Sequence, residues 1–253
     1  MASYLITGSA RGIGFGIVSL LASLPASQVG KVFATSRQNN SSKLQELIQQ
    51  HPDRVQFVQL DVTDKDSVKR AAAEVERALD GKPLDILVNN AGFMPWASGG
   101  IVDANDLAET FDMNVVSVHN VTRAFLPILA KGETKKVFNI STSLGSIAHA
   151  DKYTHLLVPS YKITKAALNM LTKQYALEFV DAGFTFVVIS PGWLQTDMGG
   201  ESADLTVETG VKATLDIMHS KTKEDTGKFF NIKVAGWENK EGPNQYDGTE
   251  LPW

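Results

Sequence analysis

The sequence predicts a single α/β domain, residues 1–253, in which helices cover both faces of a seven-stranded parallel sheet. The first observation is that short apolar runs alternate with helical patterns along the whole chain. The second is that these runs are continuous and rich in Val, Ile and Phe, as expected for strands that are buried on both faces. The third is that no linker, repeat or low-complexity segment divides the chain. Alternation of this kind is typical of a doubly wound fold.

Breaker and capping residues set the limits of the predicted elements. The first helix stops near Pro25, because proline does not continue a helix. Asp64 is a capping residue for the third helix, and Gly81 and Gly183 end the third and fifth helices. The predicted strands are 4–7, 31–35, 55–60, 85–88, 136–140, 184–189 and 228–232, and the predicted helices are 12–24, 43–50, 64–79, 106–129, 160–181 and 207–219.

The tail, residues 236–253, contains several Gly, Pro and Asn residues and is expected to be irregular. It also carries apolar and aromatic side chains, which indicates that it packs against the rest of the chain. These side chains are Trp237, Tyr246, Leu251 and Trp253.

Composition excludes several classes of function. The net charge of −4 gives no electrostatic case for binding nucleic acid or an anionic membrane. The absence of cysteine excludes disulfides and thiol catalysis. No apolar run reaches the roughly 18–20 residues of a membrane span, and a strand beginning by Ser3 leaves no room for a cleavable leader. The five histidines form no metal-ligand pattern. We therefore expect a cytoplasmic protein without a metal.

A glycine-rich turn joins the first strand to the first helix, in the pattern Gly8-x-x-x-Gly12-x-Gly14. Glycine permits a positive φ and lets a ligand approach the backbone. The N-terminus of the following helix favours phosphate. A plain tight turn would carry the same glycines, so the pattern needs support from other residues. The candidate cofactor-binding residues of this turn are Gly8, Ser9, Arg11, Gly12, Ile13 and Gly14.

Further candidates follow other strands, at the edge where ligands bind in a doubly wound sheet. Arg37 follows the second strand, where a site that prefers NAD usually has an acidic residue. Together with Arg11 it offers two cations to the 2′-phosphate of NADP, so we expect NADP(H) to be preferred over NAD(H). The alternative is that both are solvated surface arginines. The other cofactor candidates are Asp61, Val62, Asn90, Ala91, Gly92, Pro191, Gly192 and Thr196.

Tyr161 and Lys165 are four residues apart and share one face of a predicted helix. A nearby ammonium is expected to lower the pKa of a phenol from its ordinary value of about 10. Tyr161 would then serve as a general acid or a general base. The same spacing is common on ordinary surface helices, so the pair alone does not establish catalysis.

Two further features belong to the candidate catalytic set. Ser141, Thr142 and Ser143 follow the fifth strand, and a hydroxyl there could hold a carbonyl oxygen beside Tyr161. Such clusters also form turns. Asn114 lies inside a helical pattern, where it either faces solvent or disturbs the helix and holds a water.

These motifs together resemble those of the short-chain dehydrogenase/reductase family, over about Ser3–Ile232. The ending Tyr246–Trp253 resembles the branch of sniffer-type carbonyl reductases, C-factor-like proteins and fungal norsolorinic-acid-type ketoreductases. The matching motifs are the Gly8–Gly14 pattern, Asp61, Asn89–Gly92, Asn114, the hydroxyls at 141–143, Tyr161-x-x-x-Lys165 and Pro191–Gly192.

The resemblance implies a Rossmann-type sheet, a nicotinamide cofactor and a role for each matching residue. Tyr161 would donate or accept the proton, and Lys165 would bind the nicotinamide ribose and lower the pKa of the phenol. Asn114 would hold a relay water, and Thr196 would touch the carboxamide. The family's second serine in Ile-Ser-Ser-x-x-Gly corresponds to Thr142 here. We favour Thr142, with Ser141 and Ser143 as the alternatives.

The resulting hypothesis is an NADPH-dependent reductase of ketones or aldehydes that acts on a small-molecule carbonyl substrate. Two other functions stay open at this point. One is a cofactor-binding regulator with little turnover, since fold does not decide function. The other is an NAD-dependent alcohol dehydrogenase that works oxidatively. The resemblance also leaves a homodimer or a homotetramer open, formed by pairing of long helices.

Overall fold

The structure is a computed structural model that describes residues 1–253. All seven predicted strands are present, in one parallel sheet of order β3-β2-β1-β4-β5-β6-β7. The predicted fold class is therefore confirmed. The strands are β1 Ala2–Ile6, β2 Val29–Ser36, β3 Val55–Gln59, β4 Ile86–Asn89, β5 Lys136–Ile140, β6 Thr185–Ser190 and β7 Lys228–Asn231.

Helices cover both faces of the sheet. One core packs side chains of α1, α2 and α7 against the sheet, and the other packs α3, α5 and α6 against the opposite face. Asp64 caps α3, where its side chain accepts from the Asp66 N–H as the capping prediction requires. The helices are α1 Gly12–Ser23, α2 Ser42–Gln50, α3 Lys65–Leu79, α4 Leu107–Phe111, α5 Ser117–Leu129, α6 Pro159–Glu178 and α7 Val207–Ser220.

The strand order reverses at β1, which pairs with β2 on one side and β4 on the other. Tyr4, for example, lies between Val32 and Ile86. The connections from β1 and β4 leave toward opposite sides of the sheet, so a crevice opens beyond their carboxyl ends. The glycine-rich turn follows β1 and therefore lies at this crevice.

The helix predicted over 106–129 is not continuous. A π-helical turn, Asp112–Val116, separates α4 from α5. Asn114 lies in this turn with its side chain fully buried. Its amide bonds to groups outside the helix, and this arrangement accounts for the wider turn, which is frequently found at functional sites.

The tail is irregular, as predicted, and it packs against the sheet. Its backbone pairs with β7 and the following residues through isolated antiparallel bridges, Phe230 with Glu250 and Lys233 with Asp247. Tyr246 is buried, and the Trp253 ring stacks on Phe229 at 5.7 Å between centroids. No helix combines the length and the apolar character that crossing a bilayer requires.

Candidate active site

A cavity of about 1470 Å³ lies along the carboxyl ends of the strands. We call it the central cleft. Residues that follow each strand from β1 to β6 line it, together with part of α6 and part of the tail. The structure brings the residues predicted for cofactor binding to the wall of the cleft, with the exceptions of Ser9 and Gly14.

The glycine-rich turn fits the close approach of a dinucleotide. Gly8 and Gly12 have φ values of +71° and +56°, in the region that favours glycine. No side chain caps the start of α1 at Arg11, so the first N–H groups of this helix stay available to an anion. The residues present therefore suit the pyrophosphate of a nicotinamide dinucleotide.

Ser9 and Gly14 act within the turn and not at the surface of the cleft. The Ser9 hydroxyl donates to the Ile6 carbonyl at 2.8 Å and accepts from the Thr35 N–H, and the side chain is fully buried. A Cβ on Gly14 would lie 2.3 Å from the Gly8 carbonyl oxygen. Ser9 and Gly14 therefore shape the turn, and direct contact of either residue with a cofactor stays a prediction.

Arginines lie at the end of the cleft nearest β2 and β3. Arg11 and Arg37 both line it, as predicted, and Arg11 forms an ion pair with Asp197 at 3.1 Å. Arg70, which sequence reasoning missed, also lines it from α3. The available signal was an exposed basic residue in the second turn of the helix that follows Asp61. This end of the cleft therefore has three cations that suit a phosphate.

Asn90 joins the turns that follow β1 and β4. Its side-chain nitrogen donates to the Thr7 carbonyl at 2.8 Å and to the Gly8 carbonyl at 3.2 Å. Its backbone N–H donates to the Thr7 hydroxyl at 2.9 Å. Thr7, which directly precedes the glycine-rich turn, thus helps to hold both walls of the cleft in place.

Tyr161 and Lys165 lie on α6 and face the cleft together. The Lys165 ammonium donates to the Ile140 carbonyl at 2.8 Å and lies 5.5 Å from the centroid of the Tyr161 ring. Gly92 lies beside this ammonium, since a Cβ there would be in ordinary contact with Nζ at 3.7 Å. The spacing of four residues therefore places both groups in one site.

The predicted effect of Lys165 on the phenol needs correction for this structure. Burial raises the pKa of Tyr161 above its ordinary value even though the Lys165 ammonium is nearby. Burial also lowers the pKa of Lys165 to about 8. Desolvation disfavours the charged form of each group. Tyr161 is therefore held as a neutral phenol, which is the form that can donate a proton.

The three hydroxyls that follow β5 differ in their partners. Ser141 is buried and donates its proton to Asn169 Oδ1 at 2.8 Å. Ser143 Oγ accepts from the Tyr153 hydroxyl at 2.9 Å. The Thr142 hydroxyl accepts from the Leu144 N–H at 3.3 Å, and its own proton is free toward the cleft. The geometry therefore favours Thr142 and disfavours Ser141 as a donor to a substrate.

Asn114 supports the site from behind the wall of the cleft. Its Oδ1 accepts from the Phe93 N–H at 2.8 Å, and its Nδ2 donates to the Phe93 carbonyl at 2.8 Å and to the Thr164 hydroxyl at 3.0 Å. Both amide protons are used, so the side chain offers no donor to a relay water. The observed contacts instead join the segment after β4 to α6.

Apolar side chains form the wall near the catalytic candidates. They come from the segments that follow β4 and β6, and several are partly exposed at the mouth of the cleft. No group of three or more His, Asp or Glu side chains converges on a metal position. The apolar lining includes Phe93, Met94, Trp96, Trp193 and Met198.

The burial of Lys165 predicts a change of stability with pH. The pKa of this residue is about 8 in the folded protein, against about 10.4 for an unfolded lysine. Between these values the unfolded chain binds more protons, so stability rises with pH. Urea denaturation measures the unfolding free energies of the unmodified protein and of Lys165→Met. The difference between them, unmodified minus variant, should rise by about 2 kcal/mol from about pH 7.5 to pH 10. Exposed Lys69→Met is the control, and a pH-independent difference for Lys165→Met would contradict the prediction.

A family model described as short chain dehydrogenase matches residues 3–205. The chain therefore belongs to the short-chain dehydrogenase family of oxidoreductases, and the family resemblance expected from the motifs is confirmed.

Two solved carbonyl reductases are similar over the whole chain. The NADPH-bound carbonyl reductase from chicken fatty liver has a TM-score of 0.86 and 32% identity, covering 100% of this chain and 94% of that chain. The carbonyl reductase Sniffer of D. melanogaster has a TM-score of 0.87 and 29% identity, covering 100% of both. The C-signal protein of Myxococcus xanthus is 35% identical over 173 residues, which are 68% of this chain and 93% of that protein.

Proposed function

We propose that this protein reduces a ketone or aldehyde to an alcohol with NADPH. The observation that carries the proposal is that Thr142, Tyr161 and Lys165 line the same cleft as the glycine-rich turn. The chicken carbonyl reductase of the same family and fold, whose structure contains NADPH, supports this assignment. The apolar wall formed by Phe93, Trp96 and Trp193 suits an apolar carbonyl compound.

Different parts of the cleft would bind different parts of the cofactor. The turn at Gly8–Gly12 and the start of α1 would hold the pyrophosphate. The arginine-lined end would hold the adenosine part, and the cleft beside Gly92 and Gly192 would hold the nicotinamide half. When bound, the nicotinamide supplies the hydride that is added to the carbonyl carbon.

Tyr161 would supply the proton that completes the alcohol. The carbonyl carbon gains a hydride and its oxygen becomes an alkoxide, which takes the phenol proton and leaves a phenolate. The Thr142 hydroxyl would donate to the same oxygen, a contribution typically worth about 3 kcal/mol. The Lys165 ammonium would stabilise the phenolate until solvent returns its proton.

Arg37 should set the preference for NADPH. Replacement by Asp removes a cation that suits the 2′-phosphate and adds a carboxylate that suits ribose hydroxyls. Arg37→Asp should weaken NADPH binding about 10- to 100-fold while NADH binding holds or improves, as measured by fluorescence titration. Arg77→Asp on the exposed side of α3 is the control. An unchanged ratio of the two dissociation constants would favour the NAD-dependent alcohol dehydrogenase.

A second candidate is a cofactor-binding regulator with little turnover. Thr142 in place of the family's serine and the similarity to the C-signal protein favour it. Absorbance at the NADPH band separates the two candidates, with a panel of aliphatic ketones, aromatic ketones and quinones as substrates. The reductase oxidises NADPH with at least one carbonyl compound, whereas the regulator binds NADPH tightly and oxidises it with none.

We also propose that the chain self-associates through α4 and α6. Apolar side chains on these helices are exposed in the single chain, and a second copy would bury them. Light scattering of the intact protein tests this, and a monomer would contradict it. The exposed residues are Leu107, Phe111, Ile163, Met170 and Leu177.

A further inference from the structure

The tail forms part of the wall of the central cleft. Pro243, Asn244 and Tyr246 line the cleft although they lie beyond the last strand of the sheet. The Tyr246 ring packs close to the turn after β6, since a Cβ on Gly192 would lie 3.2 Å from Tyr246 Cε1. The tail therefore borders the half of the cleft that we assign to the nicotinamide and the substrate.

Asp204 joins this part of the tail to the segment that follows β6. Its Oδ2 accepts from the Tyr246 hydroxyl at 2.6 Å and from Asn244 Nδ2 at 2.7 Å. The Tyr246 oxygen in turn accepts from the Trp193 N–H at 3.1 Å. Bonds to an ionised acceptor are the stronger kind. We call Asp204, Asn244 and Tyr246 the tail clasp.

Tyr153 extends the tail clasp to the catalytic candidates. Its hydroxyl lies 2.9 Å from Ser143 Oγ and 3.2 Å from both the Pro243 carbonyl oxygen and Asn244 Oδ1. Tyr153 is buried, and Ser143 is the neighbour of Thr142 in the chain. The single proton of this hydroxyl lies within reach of all three acceptors. Tyr153 therefore contacts both the tail and the hydroxyl turn after β5.

The far end of the tail is held separately. The Ser146 hydroxyl donates to the Pro252 carbonyl at 2.7 Å, and the Ala148 N–H donates to the Trp253 carbonyl at 3.1 Å. The Leu251 N–H donates to the Phe229 carbonyl at 2.7 Å. Backbone bonds also hold Tyr246, whose N–H donates to the Trp237 carbonyl at 3.1 Å and whose carbonyl accepts from the Val234 N–H at 2.9 Å. Loss of the tail clasp would therefore loosen the cleft-lining part of the tail, which stays attached by these bonds and by its end.

We propose that the tail clasp fixes the tail as the specificity-determining wall of the substrate pocket. Asp204 is then a positioning residue, because it acts through Asn244 and Tyr246. The sheet order separates this wall from Arg37 and Arg70, which follow β2 and β3, while the tail pairs with β7 at the other edge. The tail clasp therefore acts on substrate choice and not on NADPH affinity. The kinetic part of this inference rests on the proposed reductase function.

Asp204→Ala is the variant that tests the kinetic part, since it removes the acceptor for both donors. The ratio of kcat/KM for a bulky aromatic ketone to that for a small aliphatic ketone should rise about tenfold as the wall loosens. NADPH affinity should stay unchanged. Glu201→Ala, an exposed carboxylate of the same segment, is the matched control and should leave the ratio unchanged. An unchanged ratio in Asp204→Ala would overturn the proposal.

Hydrogen exchange tests the position of the tail without any turnover. The Tyr246 and Gly248 amides, which donate to the Trp237 and Ile232 carbonyls at 3.1 and 3.0 Å, should exchange faster in Asp204→Ala than in the unmodified protein. Tyr246→Phe should give a smaller increase, and amides of β7 should be unaffected. Unchanged exchange at both amides would overturn the proposal even for an active enzyme. If the unmodified protein reduces no carbonyl compound, the proposed function fails, and the exchange result alone decides the role of the tail clasp.

Discussion

Tyr161→Phe is expected to lower kcat for carbonyl reduction by about 10²- to 10⁴-fold while NADPH binding stays intact. The change removes the one O–H group that the proposal uses as proton donor and leaves the buried ring in place. Burial raises the pKa of this phenol, so the unmodified protein carries the proton at neutral pH. Stopped-flow absorbance of NADPH with a reducible ketone measures kcat, and fluorescence titration measures NADPH affinity.

Tyr175→Phe is the matched control. Tyr175 lies on the same helix and its hydroxyl bonds to His119 Nδ1 at 2.8 Å, outside the cleft. This variant should keep the kcat of the unmodified protein, with any loss confined to stability. A Tyr161→Phe protein with unmodified kcat would remove Tyr161 from the mechanism.

Gly14→Ala is expected to weaken NADPH binding by about 10- to 100-fold, because it overpacks the turn that holds the pyrophosphate. The added Cβ would lie 2.3 Å from the Gly8 carbonyl oxygen and 2.6 Å from Asn90 Nδ2. Backbone and amide must both shift, and the turns after β1 and β4 move with them. Fluorescence titration measures the change in dissociation constant.

Gly30→Ala controls for the general cost of replacing a glycine of the sheet. Its Cβ would meet the Met1 side chain at 3.2 Å and the Ala2 carbonyl oxygen at 3.8 Å, far from the turn, so NADPH binding should be unchanged. Thermal unfolding followed by circular dichroism shows whether Gly14→Ala is folded. If it is not, Gly92→Ala is the second variant, since its Cβ would lie 3.3 Å from Asn114 Oδ1. Unmodified affinity in a folded Gly14→Ala protein would contradict this account of the turn.

Much of the fold was predictable from local patterns. Buried parallel strands read as continuous apolar runs, and capping residues such as Asp64 act within one helical turn. The position of Gly8–Gly14 between a strand and a helix was also predictable, because it depends only on neighbouring residues in the chain. The four-residue spacing of Tyr161 and Lys165 placed both on one helix face, because helical geometry fixes that relation without tertiary information.

The rest depended on partners that are distant in the chain. Nothing near Asn114 indicates that its amide bonds to Phe93 and Thr164, so the π-helical turn was not predicted. The hydroxyls of Ser141 and Thr142 are alike in sequence, and only their partners in the fold separate them. The pKa values of Tyr161 and Lys165 depend on how deeply tertiary packing buries the two groups, and the four-residue spacing does not predict that burial.

The measurement that tests the central claim most directly uses NADPH deuterated at both C4 positions, with unmodified protein and a ketone from the panel. Mass spectrometry and NMR of the product locate the deuterium. The proposed function predicts an alcohol with one deuterium on the former carbonyl carbon, formed in step with NADPH oxidation. Bound NADPH that is not consumed, or an alcohol without deuterium at that carbon, would contradict it.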